Sequence, residues 1–351
     1  MQILKLFTVI LLVAIPFSCG DGSDTAESHF TLQNNSGTKG INISNDFVLS
    51  VQPKKSKPID SVVFSMDGVK EGTTVGTESV TINISEEKLG KHTITARIFS
   101  EGDNYDLTQQ FTFLAPGRAE LYTYKILESY PHDINAYTQG LEFENDTLYE
   151  STGQYKESSL RKTDYKTGTV LKKVALDDAY FGEGLTILNN KIYQLTWQQK
   201  TGFIYNLNTL EQTGTFVYGK SPEGWGLCND GTTIYKSDGT ERIWKLNNNT
   251  LAEESFIEIY TNTSKIPKVN ELEWVDGKIY ANIYQRDAIA IVNPANGAVE
   301  GVIDLSTLKD EVTQHGKLDV LNGIAYKGEP NILYITGKNW DKLFKIEVVK
   351  K

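Results

Sequence analysis

Residues 182–197, GEGLTILNNKIYQLTW, decide how the whole chain is read, because their pattern returns four more times. TQGLEFENDTLYESTG starts at residue 138, GWGLCNDGTTIYKSDG at 224, VNELEWVDGKIYANIY at 269 and LNGIAYKGEPNILYITG at 321. Measured at the residue before the Leu or Ile, at positions 140, 184, 226, 271 and 323, the copies are 44, 42, 45 and 52 residues apart. A repeat of this length that holds several short strands predicts a β-propeller, since a lone four-stranded sheet cannot bury both faces and must stack on neighbours in a ring.

Each copy continues in the same way. An inner strand and a tight turn lead to a second strand headed by LY or IY, then a third such as FIYNL, IWKLN or IAIVN, and an outer strand such as VLKKVAL or VEGVIDL. The fifth copy ends after its third strand, LFKIEVV, and LYTYKILESY at 121–130 stands where an outer strand is needed. Pairing the two would close the ring without an open edge. Residues 120–351 are therefore expected to form a five-bladed propeller. Residues 29–117 carry short alternating runs (DFVLSV, SVVFSM, SVTINI, HTITARIF) cut by turn-rich stretches, the pattern of a small immunoglobulin-like β-sandwich. APGRAE at 115–120 is the boundary between the two. The expected fold class is all-β.

Composition agrees: 18 Tyr, 14 Phe and 5 Trp with 29 Gly favour strands and turns over helices. The net charge of −10 is spread along the chain without a basic, aromatic-interleaved stripe, which argues against nucleic acid as a partner. At the N-terminus one Lys, an apolar run from Leu6 to Phe17 and then Ser18-Cys19-Gly20 read as an export signal too short to span a membrane. The ending resembles a bacterial lipoprotein signal cleaved before Cys19, with Pro16 and Phe17 departing from the usual box; an ordinary secretory signal cut nearby is the other reading. Residues 1–19 are thus the leader up to a lipidated Cys19, and 20–28 a flexible tether. The expectation is an exported monomer held to the cell envelope by lipid alone. Only Cys228 remains beyond Cys19, so no internal disulfide is available.

Aligning the copies puts Gln139, Glu183, Trp225, Asn270 and Asn322 at one equivalent position, just ahead of the inner strand of each blade. In a propeller that position rims one mouth of the central channel, so the five side chains form a polar cup with an aromatic wall. Glu183, between Gly182 and Gly184, is its one carboxylate.

The segments YTQGL, FGEGLT, LTW, GWGL, SDGT, NELEW, ANIY and LNGIA resemble, in order and spacing over 121–351, the plant and bacterial type of glutaminyl-peptide cyclotransferase. The resemblance implies a five-bladed propeller that converts an N-terminal glutaminyl residue of a peptide or protein to pyroglutamate and releases ammonia. It implies Glu183 as the group that carries a proton from the attacking α-amine to the leaving nitrogen. It also implies Gln139, Asn270, Asn282 and Asn322 as polar contacts to substrate, with Phe181, Trp197 and Trp225 as walls. Lys236 or Lys268 is a candidate to stabilise the oxyanion, and the sequence does not choose between them. Tyr137 and Tyr284 stand where the family usually has Phe and Trp, which keeps aromatic walls.

No cofactor is required by this reading, and a structural Ca2+ is compatible with Glu271. His29, His92, His132 and His315 are not in zinc-ligand pairs. Two other functions fit the same ring: a noncatalytic surface module that binds a peptide or glycan, and a metal-dependent hydrolase of the lactonase type.

Overall fold

The computed structural model describes residues 25–351 except 38, 39 and 55. The leader, Cys19 and residues 20–24 of the tether lie outside the described residues. One expectation changes at this end: Ala26–His29, assigned to the tether up to residue 28, form a short helix, α1, and Ala26 is buried in the adjoining core. The apolar Ala26 finds a place beside Phe30, so order begins before the first strand.

Among the described residues the N-terminal region holds eight strands: β1 Phe30–Asn34, β2 Ile41–Asn42, β3 Phe47–Pro53, β4 Ser61–Met66, β5 Val69–Val75, β6 Val80–Ile82, β7 Gly90–Ser100 and β8 Asp103–Leu114. They form two sheets, ordered β1-β3-β6 and β2-β8-β7-β4-β5. Every second residue of β4, and of β3 from Phe47 to Val51, is buried, as period-two alternation requires. Phe47, Leu49, Phe64, Phe111 and Phe113 from the two sheets share one core.

The rest of the chain is made of the repeats. β10 Thr138–Glu144, β11 Thr147–Thr152, β12 Ser159–Asp164 and β13 Thr169–Ala175 pair in sequence order as one four-stranded antiparallel sheet. The second copy gives β14 Gly182–Leu188, β15 Lys191–Thr196, β16 Thr201–Asn206 and β17 Gln212–Val217. The third gives β18 Leu227–Asn229, β19 Ile234–Ser237, β20 Arg242–Leu246 and β21 Glu253–Glu258. The fourth gives β22 Val269–Val275, β23 Lys278–Ile283, β24 Ala288–Val292 and β25 Val299–Asp304. The fifth has only β26 Leu321–Ala325, β27 Ile332–Gly337 and β28 Lys342–Lys350. Its fourth strand is β9, Glu120–Pro131, which runs antiparallel to β28 from Lys342↔Pro131 to Lys350↔Tyr122.

β9 does more than the sequence suggested. It is 12 residues long, against seven for β13, and its first residues also pair in parallel with Gly301–Ile303 of β25. The fourth and fifth sheets thereby join into one eight-stranded sheet. The inner strands touch in the closed order β10, β14, β18, β22, β26 and back to β10.

Candidate active site

The five aligned residues meet where the inner strands begin, and four are joined by their side chains. Asn270 Nδ2 donates to Asn322 Oδ1 at 2.9 Å, Asn322 Nδ2 donates to Gln139 Oε1 at 3.3 Å, and Gln139 Nε2 donates to Glu183 Oε1 at 3.1 Å. This row of amides crosses the fourth, fifth, first and second repeats and ends on the one carboxyl. The Ser151 hydroxyl donates to the Glu183 carbonyl, holding its backbone from the neighbouring sheet. The glycines beside Glu183 answer to space. A Cβ on Gly184 would lie 2.6 Å from both Gly226 Cα and the Trp225 carbonyl oxygen, and one on Gly182 would lie 2.7 Å from the Thr152 carbonyl oxygen. Only glycine lets the strands approach this closely.

A second set of equivalent positions follows the second strand of each repeat. The backbone N–H groups of Gly153, Trp197, Tyr284 and Lys338 donate to the carbonyls of Tyr137, Phe181, Lys268 and Val320, respectively. Three of them, Trp197, Tyr284 and Lys338, line a cavity of about 260 Å³ together with Tyr137, Gln139, Phe181, Glu183 and Trp225. Asn270 and Gln154 complete it. At Gly153 the missing side chain leaves room for Phe181, since a Cβ there would collide with Cε1 and Cζ of the Phe181 ring. Phe181 packs against Tyr137, Tyr155 and Trp197, while Trp225 meets Tyr284 edge to face at 5.6 Å. Glu223 fixes two of these walls, accepting from the indole N–H of both Trp197 and Trp225 at 2.7 Å.

An acidic and a basic side chain are buried together in this cup. Glu183 is 5% exposed, and burial pushes its carboxyl well above the usual carboxylate range; nearby Lys338 pulls it back and Glu223 pushes it further up. Lys338 is 4% exposed, and burial holds its ammonium below the ordinary lysine value, opposed by Glu183 and Asp319. Its Nζ lies 4.8 Å from the Tyr137 ring centre and 5.4 Å from that of Tyr284, an aromatic seating for a cation. Among the described residues that Nζ makes no hydrogen bond, so its donors are free for whatever enters.

Of the residues singled out in the sequence, Gln139, Phe181, Glu183, Trp197, Trp225 and Asn270 reach the cavity. Asn322 stands one step behind, as a link in the row of amides. Asn282 does not line the cavity: it is 1% exposed and its Oδ1 accepts from the Gly323 N–H at 3.0 Å. Its place inside β23, two residues before Tyr284, aims it at the next inner strand. Neither candidate lysine lines the cavity. Lys236 is fully buried against Glu253 at 3.0 Å and bonds Ser221 and the Glu223 carbonyl, while Lys268 is exposed and bonds Gln285. Lys338 is the lysine that faces Glu183's cavity. Glu271 accepts from the Ile324 N–H at 3.0 Å, and among the described residues no group of three or more His, Cys, Asp or Glu is arranged to hold a metal ion.

An all-β ring whose mouth gathers a buried carboxyl, an ammonium without a hydrogen bond and a row of amides within aromatic walls has the equipment of an acid–base enzyme. The chain belongs to the glutamine cyclotransferase family, whose sequence model matches residues 104–348. It is 39% identical over 227 residues to a glutaminyl-peptide cyclotransferase of Arabidopsis thaliana, covering 64% of this chain and 71% of the relative. Among solved structures it resembles the glutaminyl cyclase of Myxococcus xanthus, with a TM-score of 0.62 and 30% identity, over 66% of this chain and 99% of the other.

Proposed function

We propose that this chain converts N-terminal glutaminyl residues of peptides and proteins to pyroglutamate with release of ammonia, and that Glu183 is the proton shuttle. The observation that carries the reading is a buried carboxyl and an unbonded ammonium facing one aromatic-walled cavity in a member of this family. The neutral α-amine attacks the side-chain amide carbon, forming the ring C–N bond. Glu183 takes a proton from the attacking nitrogen and returns it to the departing NH2, which leaves as ammonia when its C–N bond breaks. A carboxyl lifted by burial is suited to both transfers, because its proton affinity lies nearer to that of the nitrogens. Lys338 and Asn270 donate to the amide oxygen as its negative charge develops. Gln139 holds the Glu183 carboxyl in place, and the aromatic walls exclude water.

The same proposal takes the five stacked sheets as a five-bladed propeller and the two N-terminal sheets as an immunoglobulin-like sandwich. The closed contact order of the inner strands supports the first, and the shared core of the two sheets the second. The domain limits of 29–117 and 120–351 belong to this reading. So do an exported monomer anchored through Cys19, as its leader suggests, and chemistry that needs no cofactor.

The test is to incubate the purified protein with a glutamine-initiated dipeptide and follow ammonia release. Stoichiometric ammonia and a product lacking a free amine are expected. Retention of the dipeptide without ammonia would favour the binding-module alternative and overturn the enzymatic reading.

A further inference from the structure

A second cavity, of about 530 Å³, shares Tyr284 with the candidate site. Its floor is apolar, made by Ile266, Ile283, Ala290 and Val302 among others, and its rim carries Lys265, Lys268 and Arg286. Among the described residues no carboxylate lines it, although the chain as a whole has a net charge of −10. Lys265 is neutralised by Glu241 at 2.9 Å, but among the described residues Lys268 hydrogen-bonds only the neutral Gln285 and Arg286 forms no ion pair. Lys268 and Gln285 both have a positive φ, 64° each. The Lys268 Nζ lies 5.6 Å from the centre of the Tyr284 ring, and the Lys338 Nζ lies 5.4 Å from the centre of that same ring. Tyr284 is therefore the partition between the two cavities.

A glutaminyl residue held beside Glu183 must send the rest of its peptide out of the cup. Resting on the cyclase reading, we propose that the residues following the glutamine run over Tyr284 into this second cavity, where Lys268 and Arg286 select acidic side chains. Three extended residues reach about 10 Å, enough to pass one aromatic side chain. A cavity on the other flank of the cup shares Tyr137 and Gln154 but carries Glu157 and Asp319 beside Lys317, so it lacks the single-sign rim that would favour an acidic chain.

The test compares kcat/KM for three amidated substrates: Gln-Gly-Glu-Glu-NH2, Gln-Gly-Lys-Lys-NH2 and glutaminamide. At low salt the acidic peptide is expected to exceed the basic one by roughly three- to tenfold, as befits two exposed ion pairs, and 0.5 M salt should erase most of the difference. Arg286→Glu should cancel or reverse the preference while glutaminamide turnover stays within about twofold; Lys268→Glu should act on the ratio in the same direction. A ratio near one in the native protein overturns the subsite. So does a preference that survives Arg286→Glu and Lys268→Glu and disappears in Lys317→Ala, which would put the peptide on the other flank. Absence of ammonia from all three substrates refutes the cyclase reading, and the subsite with it.

Discussion

Carboxyls with raised pKa values occur in two places in the ring, and they differ in what they face. At the mouth, Glu183 accepts one amide hydrogen bond and looks into a cavity that also holds Lys338. Among the inner strands, Glu142, Glu271 and Glu273 each reach across to the next repeat and accept a backbone N–H, from Ile187 at 3.1 Å, Ile324 at 3.0 Å and Tyr326 at 2.9 Å, respectively. Among the described residues none of the three forms an ion pair. Burial is the leading cause of the upward shift in all four. A raised pKa therefore reports burial, and it does not by itself find a catalytic group. The cavity and the unbonded partner make that distinction.

The largest effect that can break the comparison is at the mouth. Glu183→Gln keeps the shape and the contact with Gln139 but cannot carry a proton, so kcat should fall by roughly 100- to 10,000-fold. Thermal melting should change little, because an amide bears no charge to bury. A folded variant that keeps more than about half of native turnover would remove Glu183 from the proton path, leaving it no different in kind from Glu271.

The next effect separates two buried lysines. Lys338→Met removes a donor aimed at the cavity and should lower kcat by roughly 100- to 1,000-fold with the fold retained. Lys236→Met instead leaves Glu253 buried without its partner, which costs about 3–5 kcal/mol of stability. Measuring kcat and the melting temperature for both variants decides the matter. Loss of stability in Lys338→Met with unchanged turnover of the folded fraction would make Lys338 a structural cation.

How far the sequence revealed these places depends on what the repeat could align. The strands and the grouping of Gln139, Glu183, Trp225, Asn270 and Asn322 were legible, because one period runs through all five copies. Lys338 was hidden by a longer turn: 14 residues separate Gln139 from Gly153, Glu183 from Trp197 and Asn270 from Tyr284, but 16 separate Asn322 from Lys338. Correcting for the KGEPN insertion would have placed Lys338 beside Trp197 and Tyr284. Lys236 and Asn282 misled for another reason. Both lie inside second strands, where side chains point between sheets, whereas the residues just past the strand ends ring the cavity. The α1 turn and the parallel start of β9 have no periodic signal; each forms because a few residues find a partner that lies far off in sequence.

The smallest effect belongs to the inner strands and is one of stability with pH. Burial pushes the Glu142 carboxyl up to about 8, against an ordinary value of 4.5, and Glu271 and Glu273 are also raised well above it. In the unfolded chain these groups lose their protons near pH 4.5, so between that pH and about 8 the folded state binds more protons than the unfolded state. Stability contributed by the protonated carboxyls is complete below the lower value and is lost as pH rises through the upper one. The melting temperature should accordingly fall between pH 5.5 and pH 8 through this set. Glu142→Gln retains an oxygen for the Ile187 N–H and removes one titrating group, and it also spares Glu273 a neighbouring negative charge. The variant should melt roughly 2–6 °C above the native protein at pH 8 and close to it at pH 5.5. Turnover should be unaffected at both, since Glu142 does not line the cavity. A variant that melts alike at both pH values relative to the native protein would mean that Glu142 is ionised and solvated in the fold, and a variant that loses turnover would tie the inner strands to the mouth.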